Sequence, residues 1–153
     1  MEILKNNKLI ILQLLPFILG LLLNYIVVYL PFYVFIIWLL SIGFVLYWFW
    51  VGKQFGQLSL NKLLSFCLGN ILWAISFVLF IWQFLLVDDS KRNMFLAIVS
   101  QCYGQFTVLF STKIVMAYGE VIDSNQVMIT SYILMFFIYV IGFIYGAVRA
   151  SKT

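Results

Sequence analysis

A chain of 153 residues with 65% hydrophobic and 9% charged residues and a mean hydropathy of +1.12 cannot cover a soluble surface with polar groups. Its charges gather between long uncharged runs, which identifies an all-α integral membrane protein, a small polytopic helical bundle with no room for a separate soluble domain. The net charge of +4 sits at the ends of apolar runs, so it reads as orientation and headgroup contact, with no nucleic-acid partner expected.

Met1 to Lys8 is a short polar head carrying Lys5 and Lys8. The apolar run behind it continues past the length of a signal-peptide core and lacks an A-x-A-like cleavage site, so it reads as a retained anchor. No charge then occurs from Leu9 to Gly52. As one helix this stretch would measure about 66 Å, twice what the hydrocarbon core needs. It must fold back. The turn is expected at Tyr29-Leu30-Pro31, because proline fits the first turn of a helix and Tyr25, Tyr29 and Tyr33 suit the headgroup level. Helices over 8–28 and 31–51 follow, with Pro16 bending the first and Tyr47, Trp48 and Trp50 marking the far interface of the second.

Residues 52–61 read as a polar connection, with Gly52-x-x-x-Gly56 belonging to the loop. The third helix is expected over 63–87, with Ser65, Gly69, Trp73, Ser76 and Gln83 on one face and Asn70 beside it. The DDSKRN connection leads to a fourth helix over 94–118. On a continuous helix Ser100, Gln101, Gly104, Gln105, Ser111 and Thr112 fall within an arc of roughly 140°. Unpaired amides are costly in hydrocarbon, so this stripe should face protein or water. The candidate intramembrane polar face is therefore Ser76, Gln83, Ser100, Gln101, Gly104, Gln105, Ser111 and Thr112, with Gln101 and Gln105 paired to the third helix near Ser76. A fifth helix over 127–148 carries Gly142-x-x-x-Gly146-x-x-x-Ala150, a small-residue ridge suited to close helix packing.

Counting Lys and Arg tests the topology. Five spans with a cytoplasmic N-terminus put Lys5, Lys8, Lys53, Lys62 and Lys113 against Lys91, Arg92, Arg149 and Lys152, almost no bias. Four spans with the fourth segment re-entrant or interfacial give six against three. Length and helical pattern favour five membrane-embedded helices in one transmembrane domain over 1–153; four spans plus one re-entrant or interfacial helix is the alternative. Lysine outnumbers arginine, and isoleucine, phenylalanine and asparagine are abundant, a bias of AT-rich genomes that points to a bacterial cell membrane.

Little chemistry is visible. The absence of histidine excludes a histidine-ligated zinc or haem centre and a histidine acid/base pair. Cys67 and Cys102 lie in apolar segments outside any CxxC, and read as buried free thiols, with a pairing between them left open. The acidic residues fall near segment ends or in connections, Asp88-Asp89 reads as a solvated turn, and neither G-x-S-x-G nor a phosphate-binding glycine loop occurs. No catalytic residue, metal or cofactor is expected. The expected function is that of a non-enzymatic accessory or structural subunit, bound to the bilayer and to another membrane protein or to itself. The alternative is a small transporter or channel component with a polar path along the fourth helix, although no mid-membrane ionisable residue and no inverted repeat support it.

Overall fold

The computed structural model describes residues 2–29, 33–118 and 122–152, with side chains at 8–9, 11–23 and from 35 onward. The turn expected at Tyr29-Leu30-Pro31, its tyrosine cluster, Lys5 and Glu120 lie outside the described residues or side chains. All regular structure among the described residues is helical: α1 (Glu2–Tyr29), α2 (Tyr33–Gly56), α3 (Lys62–Ile81, continued by a π turn Trp82–Leu86), a 3-10 turn Asp89–Lys91, α4 (Met94–Gln101), a 3-10 turn Gln105–Thr107, α5 (Val108–Tyr118) and α6 (Ser124–Ala150). Three stretches, Phe35–Gly56, Lys62–Leu86 and Ser124–Ala150, are long and apolar enough to cross a membrane. A fourth is reached if Met94–Gln101 and Gln105–Tyr118 form one broken span.

Local chemistry sets the helix ends. Asn61, Asn93 and Asp123 cap α3, α4 and α6 by accepting from the backbone N–H groups of Leu63, Leu96 and Asn125. The ammonium of Lys62 closes the end of α2 by donating to the Gly56 and Leu58 carbonyls at 2.8 and 2.9 Å. The π turn directs Gln83 inward, where its Oε1 accepts from Asn93 N at 2.9 Å while Arg92 Nε donates to the Gln83 carbonyl at 2.9 Å. Gln83 thus holds together the α3–α4 connection.

The bundle is centred on α2 and α6, which run parallel. A Cβ added at Gly142 would collide with the Phe49 carbonyl, and one added at Gly146 with that of Lys53. From the other side, Cβ atoms at Gly52 and Gly56 would collide with the Tyr139 and Phe143 carbonyls. Gly52 and Gly56 are therefore not loop residues as the sequence suggests: α2 continues through both because α6 packs against them. Ala150, the third member of the ridge, is half-buried at the end of α6.

Around this pair α1 and α3 run the other way. Tyr47 OH donates to the Leu12 carbonyl at 2.6 Å while Leu23 and Ile37 line one crevice, so α1 runs antiparallel to α2. Ser65 Oγ donates to the Phe55 carbonyl, and Trp73 Nε1 to that of Tyr132, setting α3 antiparallel to α2 and α6. Pro16 is buried inside α1, and the helix continues through it. Trp48 is not at an interface: it is 1% exposed, stacked on Phe44 and tilted against Tyr139. Both cysteines are free thiols, and Cys67, expected inside, is exposed on the outer face of α3.

The single helix expected over 94–118 is not formed. Helix α4 stops at Gln101, and the pair is bent by 53° across residues 102–104. Two tertiary contacts account for the break. Gly20 brings the α1 backbone against Cys102, and the Tyr103 hydroxyl donates to the Gln13 carbonyl.

Candidate functional site

The break is also where the polar residues of the fourth segment part company. Gly104 N donates to the Gln101 carbonyl at 3.1 Å, a tightened turn that releases the Ser100 carbonyl from the helix ladder. A freed carbonyl in a buried apolar interior needs donors from elsewhere. The Ser76 hydroxyl supplies one from 2.9 Å and the Tyr132 hydroxyl another, the two lying 2.7 Å apart. This node joins α3, α4 and α6. A second one follows: Thr107 Oγ1 donates to the Gly104 and Ser131 carbonyls at 3.1 Å, and Ser131 Oγ donates to Ser111 Oγ at 3.0 Å.

The stripe drawn on a straight helix therefore divides in two. Ser100, Gly104 and Ser111 are buried against α3 and α6. Gln101, Gln105 and Thr112 instead line a crevice of about 650 Å³, joined by Ser124 and Asn125 and walled by Phe80, Phe84, Leu109 and Met128. Leu23 and Ile37 also line it. The crevice thus sits where the end of α1, the start of α2, the end of α3 and the start of α6 meet. Thr112 Oγ1 is engaged with the Val108 carbonyl at 2.8 Å. The Gln101 side chain forms no hydrogen bond among the described residues, so the pairing with Ser76 expected for it is replaced by exposure to the crevice.

Beyond the break the axis of the bundle is filled with rings. Phe106 stacks on Phe44 at 4.5 Å, Phe44 on Trp48 at 6.0 Å, and Trp48 meets both Tyr103 and Tyr139. Gln13, fully buried, donates through Nε2 to the Leu68 carbonyl at 2.9 Å. Its Oε1, Trp48 Nε1 and the Tyr139 hydroxyl have no partner among the described residues. No group of three His, Cys, Asp or Glu side chains gathers among the described residues to hold a metal.

Five contributors escape the sequence reading: Gln13, Tyr103, Thr107, Ser131 and Tyr132. Gln13 carried a usable signal, a lone amide in an uncharged apolar run. Tyr132 carried none, being one aromatic among many. The arrangement yields an expectation opposite to that from the sequence. Gln101→Leu should leave thermal stability in detergent within about 0.5 kcal/mol of wild type, whereas Ser76→Ala should cost about 1 kcal/mol by removing a donor from a buried carbonyl. Thermal unfolding of the two variants checks the order. Comparison with known proteins finds nothing to set beside this geometry: no protein-family model, curated protein or solved structure matches the chain.

Proposed function

We propose that the protein is a multi-pass membrane scaffold, a non-enzymatic accessory or structural subunit that binds other membrane proteins within a bacterial cell membrane. One observation supports this above the rest: interior hydroxyls are used to lock helix against helix. Ser65, Ser76, Tyr103 and Thr107 each donate to a backbone carbonyl on another helix. Such bonds are individually small in membranes, averaging about 0.6 kcal/mol, but together they set which faces meet. The acidic residues, Glu2, Asp88, Asp89, Glu120 and Asp123, lie outside the middle of every apolar run, where ion- or proton-coupled transport places its carboxylates.

In the proposed orientation α1, α2, α3 and α6 span, the N-terminus and the α2–α3 connection face the cytoplasm, and α4–α5 dips in and returns. That is five membrane-embedded elements, four of them crossing. A photoreactive residue at the lipid-facing positions Ile75 and Ile141 tests the scaffold reading in native membranes. Discrete protein adducts of constant mass are expected from at least one face. Adducts to lipid alone from every face would overturn it.

The crevice favours a second reading, a component of a conduit that Gln101, Gln105 and Thr112 would line. The stacked rings of Phe44 and Phe106 beyond it weigh against a through path. Purified protein in liposomes is therefore expected to be tight to small ions and solutes. Reproducible flux, lost in Gln101→Leu without loss of fold, would put the conduit in place of the scaffold.

A further inference from the structure

We propose that the groove between α2, α5 and α6 binds an anionic phospholipid, with an acyl chain along Trp38, Ile42 and Leu46 and the phosphate meeting the Lys113 ammonium. The groove holds about 520 Å³ and is walled by Trp38, Ile42 and Leu46 of α2, Phe110 of α5, and Leu134 and Ile138 of α6. Its volume lies within the range of pockets that receive small molecules. Trp38 stands edge-on to Phe110 at 5.2 Å, which stiffens one wall. Ile42 and Leu46 are 50% and 66% exposed, so the groove opens sideways, toward lipid. From Trp38 to Leu46 it follows α2 for about 12 Å, close to the roughly 15 Å depth of one leaflet.

Lys113 commits the groove to one occupant. Among the described residues lining it, Lys113 alone is charged. It is exposed and forms no ion pair among the described residues. The carboxylate of Asp123, near in sequence, is occupied in capping α6. A lysine on a lipid-facing helix rests its apolar stem along the hydrocarbon and carries its ammonium to water or to an anion. An apolar helix of a partner protein would fill the groove and leave that charge unanswered. A lipid with one net negative charge answers both the apolar wall and the ammonium. A zwitterionic lipid brings its own cation and gains less. The inference holds whether the protein is scaffold or conduit.

Native mass spectrometry of the protein in detergent, titrated separately with phosphatidylglycerol and phosphatidylcholine of identical chains, tests it. Wild type is expected to take the first phosphatidylglycerol about fivefold more readily, the contribution of one lysine at an anionic headgroup. Lys113→Gln should bring that ratio near one, Lys113→Arg should retain it, and Lys53→Gln, on the opposite half of α2, should leave it unchanged. Ile42→Trp, which fills the groove, should reduce the first binding event for both lipids. Equal uptake of the two lipids by wild type, or a preference that survives Lys113→Gln, would overturn the proposal, as would an Ile42→Trp variant that binds like wild type.

Discussion

Gly142→Ala is expected to dismantle the contact between α2 and α6 although it adds a single methyl group. In hydrocarbon the hydrophobic effect does not press helices together, so association depends on close van der Waals packing and on interhelical hydrogen bonds. The α2–α6 contact is close because Gly52 and Gly56 on one helix and Gly142 and Gly146 on the other let backbones touch. A Cβ at Gly142 would meet the Phe49 carbonyl, which belongs to a helix backbone and cannot swing aside as a side chain would. The helices must separate, and the packing along the rest of the ladder weakens with them. Overpacked sites typically cost about 1–3 kcal/mol, and a backbone collision in a shared ladder belongs at or above the upper end. Gly43 is the internal control: it is also mid-helix, but a Cβ there meets nothing within 4 Å. Gly43→Ala should therefore stabilise by about 0.5–1 kcal/mol through backbone entropy alone. Unfolding of both variants in mixed micelles reads the two signs. Shifts in the same direction would contradict the packing described for α2 and α6.

That contrast also marks how far the sequence can be read. Charge clusters and apolar run lengths reveal the all-helical fold and three helices long and apolar enough to cross a membrane, because both follow from the cost of burying a charge or an unpaired backbone in lipid. The same local signals misplace the end of α2. Gly52 and Gly56 read as loop residues beside Lys53, and only the approach of α6 keeps them helical. Trp48 reads as an interfacial ring, and only its neighbours Phe44 and Tyr139 reveal a core position. The break after Gln101 is the clearest case. Cys102, Tyr103 and Gly104 contain no proline and no charge, so nothing local forbids a continuous helix. What ends it is remote: the α1 backbone at Gly20 and the Gln13 carbonyl, with the hydroxyls of Ser76 and Tyr132 meeting the carbonyl that the break frees. A polar stripe on an unbroken helix is all the sequence offers, so its division between a buried node and a crevice is not legible there.

The break decides an expected labelling pattern as well. Single cysteines in a background lacking Cys67 and Cys102 should place Ser90→Cys and Ser124→Cys on one side of the membrane and Gln57→Cys and Lys152→Cys on the other. Parity requires this. Helices α2 and α6 are parallel, since Gly142 meets Phe49 and Gly146 meets Lys53, while α3 is antiparallel to both. If α2 and α3 each cross, the chain leaves α3 on the side from which α2 began. For α6 to start on that same side, α4 and α5 together must make no net crossing. A crossing by the fourth segment, residues 94–118, would force α6 antiparallel to α2. The charges agree: Lys5, Lys8, Lys53, Lys62, Arg149 and Lys152 then share one side, against Lys91, Arg92 and Lys113, the bias expected of a cytoplasmic face. Cys102, Tyr103 and Gly104 are buried in protein, the setting in which a bilayer tolerates irregular backbone. An impermeant maleimide should therefore label Ser90→Cys and Ser124→Cys in intact cells, and Gln57→Cys and Lys152→Cys only after permeabilisation. Labelling of Ser90→Cys and Ser124→Cys from opposite sides would mean that the fourth segment crosses, and would require α2 and α6 to be repacked as an antiparallel pair.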